Sequence, residues 1–143
     1  MPQVRTAHSH DLEPILKMYR NELSREPHAD RVAAQLATFP SAVAEDGGSL
    51  VGFCYTVNFA PDVLELANIV VAENRRNEGL GGILLQHVES QAAQTFAGII
   101  LVNSDLYPQG KTVKRPATDF YHKHGYRILT ATAGTRIFFK DLK

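Results

Sequence analysis

The chain has 143 residues, of which 44% are apolar and 21% are charged, and this composition is typical of a globular protein. Its fifteen basic and fifteen acidic residues cancel, so the net charge does not indicate a nucleic acid or an acidic membrane surface as a partner. A single cysteine, Cys54, excludes an internal disulfide, and no apolar run approaches the roughly 18 residues of a membrane span. The N-terminus lacks a signal-peptide pattern, so we expect a cytoplasmic protein whose residues 1–143 form one domain.

The first part of the chain predicts a short strand and two helices. Gln3 to Ala7 is the strand candidate, and Ser9 or Asp11 can cap a helix whose apolar residues recur at helical spacing. These apolar residues are Leu12, Ile15, Leu16, Tyr19 and Leu23. Pro27 ends the pattern, and a second, weaker helix is predicted from Asp30 to about Leu36.

Three strands and a long helix are predicted next. Ser41 to Glu45 and Ser49 to Phe59 are joined by Asp46-Gly47-Gly48, which is typical of a hairpin turn. Val63 to Ala72 is an apolar strand, and a helix is predicted from Gly79 or Leu80 to Phe96.

The remaining residues predict one more helix and three strands. Gly98 to Asn103 is apolar enough to be a central strand, and residues 105–116 form a loop. Ala117 to His124 is a short helix that Gly125 ends, and Tyr126 to Thr132 and Thr135 to Phe139 are the closing strands. The order βααβββαβαββ favours an α/β sheet with helices on both faces.

The polar turn between the third strand pattern and the long helix is the most informative stretch. It holds Arg75, Arg76 and three glycines, and the apolar residues that follow it recur at helical spacing. A turn that opens a helix leaves the first backbone N–H groups of that helix unpaired, at the positive end of the helix dipole. These donors and the two arginines predict a site for a phosphate or pyrophosphate.

Two common glycine-rich phosphate loops do not fit. The dinucleotide fingerprint G-x-G-x-x-G fails because Leu84 stands where a third glycine would follow Gly79 and Gly81. The nucleoside-triphosphate loop has a partial match in Gly110-Lys111-Thr112, but Asp105 replaces its first glycine and no apolar helix follows.

A third pattern fits. Arg76-Asn77-Glu78-Gly79-Leu80-Gly81 resembles the [RQ]-x-x-G-x-[GA] signature of GNAT-type N-acetyltransferases, whose turn cradles the pyrophosphate of acetyl-coenzyme A. A second segment, Ala117 to Tyr126, resembles the A-x-x-[FL]-Y-x-K-x-G-[FY] motif of the same family. The resemblance implies a GNAT-like α/β domain with a mixed, mostly antiparallel sheet of about seven strands, and acetyl-CoA as the co-substrate.

The resemblance also implies which residues contact the coenzyme. The strand before the turn would supply backbone groups from Ile69, Val70 and Val71, one of them as the oxyanion donor. The turn would supply Arg75, Arg76, Asn77, Glu78, Gly79, Leu80, Gly81 and Gly82. Where many family members carry an asparagine for the pantetheine arm, this chain has Lys114, and Asn103 is either a substitute or a strand-end cap.

Acetyl transfer from a thioester to an amine needs a neutral amine, a donor for the oxyanion and a proton for the departing thiolate. Tyr121 stands where the family's tyrosine commonly protonates the sulfur; the alternative is a packing tyrosine. Glu65 is the candidate base, eleven residues before Arg76, as in the histone-acetylating branch of the family. Strand alternation would place Glu65 on one face with Ala67, Ile69 and Val71. An acid among apolar neighbours is either an edge residue or a functional group with a raised pKa.

These features predict an acetyl-CoA-dependent N-acetyltransferase that acts on a primary amine of a small molecule or peptide, by direct transfer. Cys54 lies in an apolar strand without an obvious histidine partner, so we expect a buried thiol rather than an acetyl carrier. The alternative is a non-catalytic coenzyme A-binding sensor or interaction module. We expect no metal, because His122 and His124 lack accompanying ligands, and exposed strand edges leave a homodimer open.

Overall fold

The structure, a computed structural model, describes residues 2–105 and 117–143. Within these residues the elements follow the predicted order, with α3 ending at Ala92 rather than Phe96 and the first strand ending at Arg5 rather than Ala7. They are β1 (Gln3–Arg5), α1 (Leu12–Leu23), α2 (Ala29–Thr38), β2 (Ser41–Asp46), β3 (Ser49–Ala60), β4 (Val63–Val71), α3 (Leu80–Ala92), β5 (Gly98–Ser104), α4 (Thr118–Lys123), β6 (Arg127–Ala131) and β7 (Thr135–Asp141).

The strands form one sheet in the order β1-β2-β3-β4-β5-β7-β6. β4 and β5 run parallel, and the other neighbouring pairs are antiparallel. The predicted fold class, a mixed and mostly antiparallel seven-stranded sheet, is confirmed. The predicted hairpin between β2 and β3 is also confirmed: Gly47 and Gly48 have φ of 59° and 83°, as a two-residue turn of the type I′ class requires.

Helices cover the sheet on both faces, and β3 shows how the sequence divides between the two layers. Phe53 and Tyr55 point towards α1 and α2 and join a cluster that includes Ile15. Cys54, between them, points the other way and packs in the cluster that contains Leu84 of α3. Because successive side chains of a strand alternate, one apolar run supplies both halves of the core.

β4 carries a bulge that reverses this alternation. Tyr55 of β3 pairs with Asn68, but the next β3 residue, Thr56, pairs with Leu66, so Ala67 is an extra residue on β4. Before the bulge, Leu66 packs with the α3 cluster; after it, Ile69 does so.

The bulge corrects one sequence-based expectation about the site. Leu64 and Leu66 both face α3, so Glu65 between them faces the α1 and α2 side, as does its cross-strand partner Val57. The prediction that Glu65 shares a face with Ile69 and Val71 is therefore wrong, because an inserted residue shifts the period-two pattern by one. Among the described residues, no helix is both long enough and apolar enough to cross a membrane.

Candidate active site

The sheet opens between β4 and β5. The two strands pair only at their first three residues, Val63 to Glu65 with Gly98 to Ile100. Beyond that point β4 keeps its pairing with β3 and β5 pairs with β7, so within the described residues the second half of β4 has no strand on its β5 side. This opening exposes part of the β4 backbone.

The hydrogen bonds of β4 show which backbone groups face the opening. The Ala72 amide donates to the Val51 carbonyl of β3 at 2.9 Å. Because backbone groups alternate sides along a strand, those of Ile69 and Val71 point away from β3, towards the opening. Of the three residues predicted to bind the coenzyme through their backbone, Ile69 and Val71 thus have their backbone groups at the opening. Those of Val70 point towards β3.

The turn after β4 leads directly into the N-terminus of α3. Gly79, the N-cap, has φ of 82°, and Asn77 has φ of 66°, both in the left-handed region. Gly79 has no side chain to cap the helix, and the first helical bond runs from the Ile83 amide to the Gly79 carbonyl at 3.3 Å. The amides of the three helical residues before Ile83 have no intrahelical acceptor.

The space beside this turn is open. A Cβ atom added to Gly79 would meet no atom within 4 Å. The amides without an intrahelical acceptor, the positive end of the α3 dipole and the open space together form a suitable site for an anion such as a pyrophosphate.

The two arginines of the turn are held by protein groups. Arg76 donates from Nε to the Val71 carbonyl at 3.0 Å and from Nη2 to the Glu22 carboxylate at 2.9 Å. Arg75 pairs with Glu78 at 3.1 Å and with Asp46 at 3.0 Å. Arg76 therefore joins the end of β4 to α1, a role that its motif position did not indicate.

Gly81, the last residue of the first motif, and Gly82 after it both lie against the second motif. A Cβ atom added to Gly82 would lie 2.7 Å from Cε1 of His124, and one added to Gly81 would lie 3.4 Å from the Phe120 ring. The absence of a side chain at Gly82 lets α4 pack closely against the start of α3, whereas a Cβ atom at Gly81 would make a van der Waals contact with the Phe120 ring. Sequence reasoning assigned these glycines to a phosphate turn and missed their packing role.

The same contact positions Tyr121, the candidate proton donor. Its side chain is 7% exposed and packs against Tyr126 and Phe138, with ring centroids 5.8 and 5.3 Å away. Burial raises the pKa of Tyr121 above its ordinary value, and the nearby Cys54 adds to this effect. The raised pKa keeps the phenol neutral, and its hydroxyl makes no hydrogen bond within residues 2–105 and 117–143.

Glu65, the candidate base, lies on the opposite face of the sheet from Tyr121. It is half-buried, and since β4 lies between β3 and β5 it is not on an edge strand. On the same face, Asn68 donates from Nδ2 to the Tyr55 hydroxyl at 3.0 Å. The two candidate catalytic groups thus lie on opposite faces of the sheet, and Glu65 is the last residue of β4 that pairs with β5.

Three further residues that the sequence singled out are Asn103, Lys114 and Cys54. Asn103 accepts a hydrogen bond from Arg136 Nη2 at 3.3 Å, and Lys114 lies outside the described residues. Cys54 is fully buried, and burial raises the pKa of its thiol, which confirms the expected buried cysteine. These properties are unsuited to a nucleophile, which needs an exposed thiolate.

Comparison with known proteins identifies the family of this chain. Residues 38–128 match the family model described as "Acetyltransferase (GNAT) domain". The chain is 33% identical over 66 residues to the "Uncharacterized N-acetyltransferase YjcF" of Bacillus subtilis (strain 168), a match that spans 46% of this chain and 41% of that relative.

Solved structures share the fold at low sequence identity. The ribosomal-protein-S18-alanine N-acetyltransferase from Escherichia coli has a TM-score of 0.81 at 17% identity, over 100% of this chain and 95% of that one. The PaiA N-acetyltransferase from Thermoplasma acidophilum in complex with coenzyme A has a TM-score of 0.79 at 14% identity, over 99% of each chain. With the family model matching more than half of its residues, the chain belongs to the GNAT acetyltransferase family.

Proposed function

We propose that the protein transfers the acetyl group of acetyl-CoA directly to a primary amine of a small molecule or peptide, with residues 1–143 as one catalytic domain. The observation that carries this proposal is the separation of β4 from β5 immediately before the uncapped N-terminus of α3. The opening offers a path through the sheet from one face to the other, and the helix offers a site for the coenzyme's diphosphate.

Coenzyme binding in this proposal relies on backbone groups. The amides at the start of α3, from Gly79 to Gly82, hold the diphosphate, and the gap-facing groups of Ile69 and Val71 bind the pantetheine arm and the thioester oxygen. Arg76 keeps the turn attached to β4 and α1, and its positive charge lies close to the diphosphate. The open space at Gly79 supports this arrangement.

Glu65 and Tyr121 divide the proton transfers. An alkyl amine with a pKa of about 10.4 is mostly protonated near pH 7, and making it neutral costs roughly 5 kcal/mol, so a base is required. Glu65 takes this proton, directly or through a water molecule, on the α1 and α2 side of the sheet. Tyr121 donates a proton to the departing thiolate on the α3 side.

The raised pKa of Tyr121 is compatible with this role. A phenol with a higher pKa is a weaker acid, but a thiolate in the same apolar surroundings also binds a proton more tightly. Cys54, which packs in that cluster, shows the effect, because burial raises the pKa of its thiol as well. The proton affinities of donor and acceptor therefore rise together.

A thiol-release assay tests the proposal, using acetyl-CoA with a panel of amines, amino acids, polyamines, aminoglycosides and peptides. We expect amine-dependent release that falls in Glu65→Gln and Tyr121→Phe, while calorimetry shows unchanged affinity for coenzyme A. A protein that binds coenzyme A without acetylating any amine would instead be a binding module. Absence of coenzyme binding would contradict the proposed site itself.

A further inference from the structure

One basic side chain near the proposed site has no acidic partner in the part of the chain that the structure describes. Six lysine or arginine side chains are half-buried among the described residues, and five of them pair with a carboxylate. These five pairs are Arg5 with Asp11, Arg75 with Asp46, Arg76 with Glu22, Arg136 with Asp105 and Lys140 with Glu89. The sixth, Arg25, makes no ion pair or hydrogen bond to a described residue, and its Nε atom is buried without a partner.

Arg25 is nevertheless held in place. It lies two residues after the end of α1, whose C-cap residue Ser24 has φ of 55° in the left-handed region. Its guanidinium carbon lies 5.6 Å from the centroid of the Tyr19 ring, a cation–π contact that fixes the side chain while satisfying none of its donors.

Two contacts place this segment beside the opening in the sheet, and a third lies next to them on the same face. Glu22, three residues before Arg25, binds Arg76, which in turn binds the Val71 carbonyl at the end of β4. The Tyr55 hydroxyl accepts a hydrogen bond from Asn68, next to the β4 bulge.

The positive charge of Arg25 acts on the Tyr55 hydroxyl. Burial raises the pKa of Tyr55, whereas the hydrogen bond from Asn68 and the positive charge of Arg25 act in the opposite direction. Arg25 also contacts the Tyr19 ring, and Tyr19 packs in the same cluster as Tyr55 and Ala67, so Arg25 lies on the face of the sheet that also carries Glu65.

This arrangement presents two opposite charges on one face. Burying part of a guanidinium without a partner is unfavourable, and a carboxylate is the anion that matches its donors in a bidentate geometry. Glu65 attracts a cationic amine, and Arg25 attracts an anion on the same molecule. An acceptor with both groups would complement this face, whereas a simple alkyl amine would leave Arg25 unpaired.

We propose that Arg25 binds a carboxylate of the acceptor, so that the substrate is a small amine that also carries a carboxylate, as an amino acid does. This inference rests on the proposed function and assigns its substrate class. Arg25 is then a specificity-determining residue, and Glu65 acts on the amine of the same molecule.

The test compares matched pairs of acceptors in the thiol-release assay: amino acids and other aminocarboxylates, each beside its carboxamide. Rates are compared at equal concentrations of the neutral amine, because conversion to the amide lowers the amine pKa. We expect the carboxylates to be preferred by roughly 10- to 100-fold in kcat/KM, the range for a charge-assisted hydrogen bond.

Substitution of Arg25 separates specificity from folding. Arg25→Gln should raise KM for the carboxylates by roughly the same factor, with kcat and the carboxamide rates little changed. Arg25→Lys should keep part of the preference, because it retains the charge without the bidentate geometry. Arg31→Gln, at an exposed arginine of α2, is the control and should change neither rate.

The outcomes are distinguishable. Equal use of carboxylates and carboxamides by the wild type, or an equal loss with both in Arg25→Gln and Arg25→Lys, would overturn the inference and leave the proposed function standing. Acetylation of peptides alone, whether or not they carry an acidic group, would also overturn it. Coenzyme binding without acetylation of any amine would overturn both proposals.

Discussion

Replacing Gly79 with alanine tests whether the left-handed residue at the start of α3 is essential to the site. An L-residue in this region costs about 1–2 kcal/mol, and a Cβ atom at Gly79 meets no atom within 4 Å, so no clash adds to the cost. An unfolding entropy of about 2.1 cal/mol/K per residue corresponds to about 0.3 kcal/mol/K for the whole chain. We therefore expect Gly79→Ala to lower Tm by about 3–7 °C.

The same substitution should weaken coenzyme binding. If the turn relaxes to a negative φ, the amides that precede the first helical bond change direction, and loss of one hydrogen bond to a charged group reduces affinity by roughly 10- to 100-fold. Isothermal titration calorimetry with coenzyme A and a thermal melt measure the two effects.

Gly81→Ala is the matched control. Gly81 lies inside α3, where alanine is favoured over glycine by about 1 kcal/mol, and the added Cβ atom would lie 3.4 Å from the Phe120 ring. We expect its Tm to be maintained or raised. Equal losses of Tm and of coenzyme affinity in the two variants would refute the reasoning, since the positive φ would then explain neither.

Three further predictions follow from individual contacts. Tyr121→Phe should lower kcat by roughly 100-fold or more with unchanged coenzyme affinity, and full activity in steady-state assays would exclude it as the proton donor. Burial alone raises the pKa of Asp11, but hydrogen bonds from Arg5 and the His8 amide outweigh burial and lower that pKa. The ionised carboxylate of Asp11 therefore stabilises the fold above about pH 4, and this stabilisation is lost as the pH falls below that value. Urea unfolding should therefore show that Asp11→Asn is most destabilising near neutral pH and becomes less so as the pH falls below about 4; a penalty independent of pH would contradict this. Arg76→Gln should reduce the free energy of unfolding by about 1–3 kcal/mol, because it removes two hydrogen bonds that join β4 to α1, and an unchanged urea midpoint would argue against that role.

Local pattern was sufficient to predict the order of the elements and the family. The apolar spacing of α1 and the alternation in β3 each report on one segment, and the glycines between β2 and β3 determine the turn locally. The two motifs around Gly79 and Tyr121 indicated the family for a similar reason, because each consists of residues close together in the chain.

The arrangement of the candidate site depended on contacts between distant segments. The face on which Glu65 lies is set by the bulge at Ala67, which exists only because β3 and β4 pair with a shifted register. The partner of Arg76 is Glu22 of α1, and the unpaired state of Arg25 is visible only when every neighbouring carboxylate has been placed. Periodicity describes one segment at a time. Strand register, ion pairing and the opening between β4 and β5 are properties of two or more segments together, so only the tertiary structure decided them.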